Sequence, residues 1–471
     1  MGNRQKFNKV LNPLDVLVTA FGAMIGWGWV VSTGNWLSNS GVFGTIMGFV
    51  IGGIMIFFVG LTYSELTTAI PVAGGVRVFS YKAFGVMGSY ACSWFMILSY
   101  IGVVCFEACS LPTVLQYIFP GFLRGYLYSV AGFDVYVTWL LAALLLAVAV
   151  TYINVIGIKA AAVLQTILTV VIAAVGLALV AASAVNGEPA NLQGQFFVGT
   201  DAWDIVKHTL SIAAIAPFFL FGFDVIPQVA EEINVPLRKT GRLMLFSIVL
   251  AVGFYALVVF SVGYIMNPGE IRGALSGNSL VTADAMAKAF SSKAMAKVLI
   301  LGGICGIVTS WNSFLLGGSR ALFSMARAHM IPSLFGEMHP EYKTPINAVL
   351  LVGILSMISV FFGRSMLIWI SDVAGFACCV AYCLVSIAFL VIRKKEPDLP
   401  RPYSVKHYRA VGTTAVILSA VMAALYLIPG SGATFSKEEC VIAAAWVALG
   451  LLFAFVSKKK YGSLFGIGDE D

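Results

Sequence analysis

The sequence predicts an all-α membrane protein of twelve transmembrane helices, built as a 5+5 inverted repeat with two further C-terminal helices. Three observations carry that reading. Of 471 residues 59% are hydrophobic and 11% charged, with a mean hydropathy of +0.92, which leaves too little polar surface to cover a water-soluble globule. Apolar runs of about 20 residues, the length that crosses a bilayer, recur twelve times. Two of them, the first and the sixth, are broken at their centres, and an offset of five is what two five-helix units of opposite orientation produce.

The runs cover residues 13–37, 41–70, 84–111, 134–152, 159–184, 207–232, 241–266, 294–327, 346–362, 366–392, 410–429 and 438–457. The second ends at Pro71-Val72-Ala73-Gly74-Gly75, a turn signal that no helix continues through. This divides the chain into a first repeat (1–192, helices 1–5), a second repeat (193–395, helices 6–10) and a C-terminal pair with its tail (396–471). Most of the 29 lysines and arginines fall in the segments on the side of the N-terminus, from Arg4, Lys6 and Lys9 to the cluster Arg393-Lys394-Lys395 and the run Lys458 to Lys460. The positive-inside rule then places both termini in the cytoplasm of a multi-pass protein of the cell (plasma) membrane. Met1 to Asn12 is polar and basic, with no small-residue cleavage site after the following run, so the first helix is expected to be its own insertion signal. Lys6 stands where a myristoylation motif needs Ser or Thr. The segment Asn267 to Ser292 is long enough for a short helix acting as a lid, or is a solvated linker.

Several classes are excluded. The formal charge of +7 is spread over short loops, which is no nucleic-acid footprint. The eight cysteines (Cys92, Cys105, Cys109, Cys305, Cys378, Cys379, Cys383, Cys440) lie almost all inside apolar runs and read as packing rather than disulfides or metal ligands. The four histidines are not in ligand spacing. No GxxxxGK[ST] loop, Ser/His/Asp set or HExxH occurs, so neither ATP-driven pumping by this chain nor an enzyme is expected, and no cofactor beyond a coupling ion.

In the first run Gly22-Ala23-Met24-Ile25-Gly26-Trp27-Gly28-Trp29 places three glycines at mid-membrane, each weakening a helix by about 1 kcal/mol relative to alanine. Backbone freed at such a break must be buried in protein or complete its hydrogen bonds with a ligand. Amides opening the outer half suit a carboxylate, and carbonyls closing the inner half suit an ammonium group or Na+. Gly26 and Gly28 and the Ile25 carbonyl are the expected contacts; Trp27 and Trp29 either narrow the pocket or pack outward. In the sixth run Pro217 and Pro227 bracket Gly222 and Asp224, and Phe218 and Phe221 precede the glycine, placed to close over a substrate or to pack in the core. Glu107, mid-span, is either a proton-coupling or amine-binding acid or a structural one. Asp372 is expected near headgroups, paired with Arg364, and Asp224, Glu231 and Glu232 are expected to pair with Arg238 or Lys239. Gly306, Thr309 and Ser310 share one helical face, where a carbonyl and two hydroxyls offer the oxygen ligation of Na+ or satisfy their own helix.

At these residues the chain resembles the amino acid–polyamine–organocation (APC) superfamily of secondary transporters. The likeness rests on Gly22 to Gly28; on Tyr63-Ser64-Glu65-Leu66 with Ile70 to Gly75; on Gly222-Phe223-Asp224 with Glu231-Glu232-Ile233-Asn234-Val235-Pro236; on Ser319 to Pro332; and on Arg393 to Pro402. It implies a leucine-transporter-like fold with substrate held at the two unwound segments. By motif the substrate-binding set is Ala23, Met24, Ile25, Gly26, Trp27, Gly28, Phe218, Phe221 and Gly222, with Phe218 the gate aromatic. The lysine that some members carry in the fifth helix falls on Ile172 here, so the resemblance points to the Na+ set Gly22, Ile25, Gly306, Thr309 and Ser310. Trp27, where small residues are usual, favours a small substrate. The reading is a permease that moves a small amino acid by alternating access, coupled to H+ or Na+ or by exchange. The alternative is an amine such as ethanolamine or a polyamine; a channel or an intramembrane enzyme lacks its required residues. The expected partners are this small molecule and the lipid bilayer.

Overall fold

The computed structural model describes residues 7–119, 121–277, 279–429 and 434–467. Among these, eleven helices are long and apolar enough to cross a membrane: Pro13–Val31, Thr33–Ala69, Gly75–Ile118, Val137–Ile156, Ile158–Asn186, Ala202–Gln228, Leu237–Ile265, Lys293–Arg327, Ser365–Lys395, Tyr408–Leu425 and Lys437–Leu464. A shorter apolar helix, Ile346–Phe362, stands where the ninth run was expected. Helices are numbered below in chain order, this one being the ninth.

Helix 1 starts at a capping box: Asn12 Oδ1 accepts the Leu14 and Asp15 amides, Asp15 Oδ2 accepts the Asn12 amide at 3.0 Å, and Pro13 occupies the first helical position. Its outer half runs without a loop into helix 2, turning only at Gly41, where φ is +74°. A side chain there would meet the Gln195 and Phe196 carbonyls at 2.8 and 2.9 Å, and those same carbonyls cap the Val42 and Phe43 amides. Helix 3 bends in the same manner at Gly85, with φ +73°.

The all-α expectation needs one correction, the antiparallel hairpin Tyr126–Val130 and Phe133–Tyr136 between helices 3 and 4. Its two-residue turn, Ala131-Gly132, has positive φ at both positions, the geometry that matches strand twist. The signal was present in Tyr126-Leu127-Tyr128-Ser129-Val130, a short run with two tyrosines and a valine that ends on that turn. The segment after Met266 forms two helices, Pro268–Ser276 and Val281–Ala289, rather than one. The second rests where helix 1 runs into helix 2: Val281 packs on Gly34 of helix 2, and the Thr282 hydroxyl donates to the Trp29 carbonyl of helix 1 at 3.2 Å.

On the side carrying the N-terminus, the loop after helix 10 is bound to helix 2 through Glu65. This buried carboxylate accepts Arg393 Nη2 and the Val405 amide, each at 2.7 Å, and pairs with Arg401 Nε at 3.2 Å. Glu65→Ala is expected to cost about 2 kcal/mol by stranding Arg393, which a lowered melting temperature of the purified protein would register. Helix 12 is attached by Trp94 and Trp446, stacked at 4.5 Å, each indole N–H donating to the other's carbonyl.

Candidate functional site

Both predicted interruptions are present. Helix 1 ends at Met24, Ile25 leaves helical geometry (φ −101°, ψ 43°), and a single turn resumes at Gly28–Val31. Helix 6 stops at Leu220; Phe221 is extended and Gly222 has φ +144°, with helix regained over Val225–Gln228. The two breaks touch, since a methyl at Gly222 would lie 2.7 Å from Ala23 Cβ and 3.2 Å from Met24 Cγ.

The freed backbone groups have identifiable fates. The Met24 carbonyl accepts the Tyr255 hydroxyl at 3.0 Å, and the Gly22 carbonyl that of Thr309 at 3.1 Å. At the second break the Gly222 amide donates to Asp224 Oδ1 at 2.8 Å, and the Asp224 carbonyl accepts the Tyr100 hydroxyl at 2.8 Å. Among the described residues no acceptor sits on the amides of Gly26, Trp27 or Gly28. These three donors are what the start of an outer half-helix offers a carboxylate.

Between the breaks lies a cavity of about 30 Å³, room for one or two waters. Of the predicted residues Ala23, Met24, Gly26, Trp27, Gly28, Phe218, Phe221, Glu107 and Ser310 line it. Ile25 and Gly222 are not among the lining residues: Ile25 is wholly buried and Gly222 is the joint between the breaks. Sequence reasoning missed Val103, Phe106, Phe219, Tyr255 and Phe314. Tyr255 is one of several hydroxyls in the seventh run, with Ser247, Ser261 and Tyr264, so neither it nor the others carry a local signal. Phe219, not named from sequence, lies across Gly28 and edge-on to Trp36 at 5.0 Å. Phe218 packs edge-on against Phe106, Phe219 and Phe221 at 5.3–5.5 Å. Trp27 both lines the cavity and fills the notch over Gly303, while Trp29 packs away on Phe254 at 5.3 Å.

Glu107 reaches the break itself. A Cβ on Gly26 would stand 2.8 Å from its Oε1 and 3.2 Å from Ser310 Cβ, and Oε2 has no partner among the described residues. The candidate cation residues are brought together in part. Thr309 Oγ1 lies 3.1 Å from the Gly22 carbonyl and 3.0 Å from that of Gly306, whereas Ser310 stands on the Glu107 side of Gly26. Ile172 fills the space against Gly306.

Three acids, Glu232, Asp224 and Asp372, are not paired as expected. Glu232 pairs with Arg320 in a two-pronged bridge of 2.8 and 3.3 Å, both side chains fully buried, rather than with Arg238 or Lys239. Asp224 is fully buried at the second break, because its carboxylate caps Gly222. Glu231 accepts the Ala73 amide at 3.4 Å. Arg364 lies over the Phe133 ring, and Asp372 contacts Ser371, so the expected Asp372–Arg364 pair does not form. Helix 8 supplies Arg320, too distant in sequence to weigh against the adjacent cations.

With this geometry in place, comparison with known proteins is decisive for the family. The amino acid permease family model matches residues 11–453. The chain is an amino acid permease of the APC superfamily. It is 26% identical to the branched-chain amino acid permease of Bacillus subtilis (strain 168), over 98% of this chain and 95% of that one. It is also similar to two transporters of the same organism: the methylthioribose transporter, 25% identical over 97% and 95% of the two chains, and the aspartate-proton symporter, 23% over 89% and 80%. The permease is thus a multi-pass membrane transporter and not an enzyme.

Proposed function

We propose that the permease carries a small apolar amino acid, its carboxylate on the Gly26, Trp27 and Gly28 amides and its ammonium group toward Glu107. The observation that carries this is a cavity lined by Gly26, Trp27 and Gly28, whose amides have no partner among the described residues, and by Glu107, with an otherwise mainly apolar lining apart from Ser310 and the Tyr255 hydroxyl. The branched-chain specificity in one relative's name agrees with such a lining. A cavity of about 30 Å³ is too small for an amino acid, so binding needs the breaks to separate, and alternating access has them do so first on one side and then on the other.

The pair of breaks in helices 1 and 6 supports the 5+5 repeat, with 1–192 and 193–395 as its halves, 396–471 appended and helix 9 as the short member of twelve. The basic N-terminal side supports cytoplasmic termini in the cell membrane. Coupling runs through H+ or Na+, or is replaced by exchange. The carbonyls of Gly22 and Gly306 with the Thr309 hydroxyl form an oxygen-only set that suits Na+, and these residues would hold it; its charge would secure the inner half of helix 1 to helix 8. Thr309→Ala is expected to raise the Na+ concentration for half-maximal uptake at least tenfold; uptake by the parent protein without Na+ would remove the ion from the reading.

An amine substrate is the second reading, favoured by the free Glu107 oxygen and the surrounding aromatic rings. The deciding experiment is counterflow of L-leucine into preloaded proteoliposomes, with ethanolamine and putrescine as competitors. Saturable leucine counterflow supports the amino acid; inhibition by the amines alone transfers the assignment to them.

A further inference from the structure

Besides Glu439, whose carboxylate accepts the Ser436 amide at the start of helix 12, four acids are buried within or beside the helix bundle, and two of them are neutralised: Glu65 by Arg393 and Arg401, Glu232 by Arg320. Glu107 faces the cavity. The fourth, Asp224, lines no part of it and has no cation. Its Oδ1 holds the Gly222 amide, while its Oδ2 has no partner among the described residues. Around it three more buried polar atoms are without partners: the hydroxyls of Tyr63 and Tyr382 and Gln228 Oε1. The two tyrosine rings stand 5.5 Å apart, both against Phe223, the neighbour of Asp224. The titratable groups facing Asp224 are Tyr63 from helix 2, Tyr100 from helix 3, and Cys378 and Tyr382 from helix 10, with Cys92 behind Tyr63; no Lys, Arg or His is among them.

Unpaired buried polar atoms are rare, because each forfeits about 1–3 kcal/mol. Three around one carboxyl whose own Oδ2 is unpartnered mark a place built for something that completes them. An ionised Asp224 needs donors, which the two tyrosine hydroxyls can be; a protonated one needs an acceptor, which Gln228 Oε1 can only be. We propose that this chamber is a proton site, in which Asp224 Oδ2 takes a proton from water and returns it to water, so that its charge alternates during the cycle. The site is separate from Glu107, and no substrate needs to touch it. Its effect on transport is mechanical: Asp224 holds Gly222, and Gly222 is seated on Ala23 and Met24, so a change of charge at Oδ2 is felt at both breaks.

The inference rests on the transport reading only for its consequence, and the first test does not use transport. Infrared difference spectra of the purified protein between about pH 5 and 9 should contain a protonated-carboxyl C=O band that is lost in Asp224→Asn and kept in Glu107→Gln. A spectrum unaltered by Asp224→Asn overturns the proposal. Tyr382→Phe, which removes one hydroxyl and no charge, should move the midpoint of that band; if Asp224→Asn does not fold, an unmoved midpoint in Tyr382→Phe overturns it equally. In proteoliposomes Asp224→Asn should lose at least tenfold in pH-driven net uptake of leucine while counterflow falls far less. Equal loss of both refutes a coupling role. Absence of leucine counterflow in the parent refutes the substrate assignment and leaves the infrared result standing.

Discussion

Gly26→Leu is expected to abolish substrate binding and uptake. Even a single methyl there stands 2.8 Å from Glu107 Oε1 and 3.2 Å from Ser310 Cβ, and the cavity beside it measures only about 30 Å³. A leucine side chain therefore occupies the room left for substrate and covers the amides of residues 26–28. Gly26→Ala grades the effect, with an expected loss of at least tenfold in affinity, and a thermal-shift titration with leucine measures it. In Gly26→Ala the methyl meets the far end of the Glu107 side chain, which can shift aside, so the unliganded melting temperature should fall much less than the affinity. Full uptake by Gly26→Leu would place the substrate elsewhere.

The second large effect concerns folding. Arg320→Met leaves Glu232 as an uncompensated charge with neither side chain exposed, and removing one partner of such a pair costs about 3–5 kcal/mol. The loss extends to the N-terminal segment, because the Glu232 carbonyl accepts both the Val10 and Leu11 amides at 3.0 Å. Arg320→Met is expected to aggregate on detergent extraction, read as loss of the monodisperse peak in size-exclusion chromatography. Adding Glu232→Met should recover much of it, since two apolar side chains restore neutrality. If the single variant behaves as the parent, the bridge contributes little.

What could be read from the residues was whatever depends on local chemistry. Gly26 and Gly222 declare breaks because glycine in a membrane helix has a steep local cost, and the apolar runs declare spans because bilayer thickness is fixed. Partners were not readable. Arg320 reaches Glu232 across 88 residues, and Tyr255 meets Met24 across 231, so the nearer Arg238 and Lys239 looked the better match for Glu232 although they are exposed. The same limit hid Phe219, which differs from Phe218 only by the direction its place on the helix gives it. The hairpin at Tyr126 was lost for another reason: among runs of 20 apolar residues, strands of five and four weigh little.

The inner half of helix 1 is fastened from outside by Gln165 on the Val18 carbonyl at 3.3 Å, Ser313 on Thr19 at 3.1 Å and Thr309 on Gly22 at 3.1 Å. A carbonyl has two lone pairs, and on Val18 and Thr19 one serves the helix's own ladder and the other the outside donor. Such fastenings detach without unravelling what they hold, and an entering water can take over each one. Under the alternating access proposed above, the half-helix would be a rigid lever on a re-wettable seam, coming away and reseating with its own coil intact.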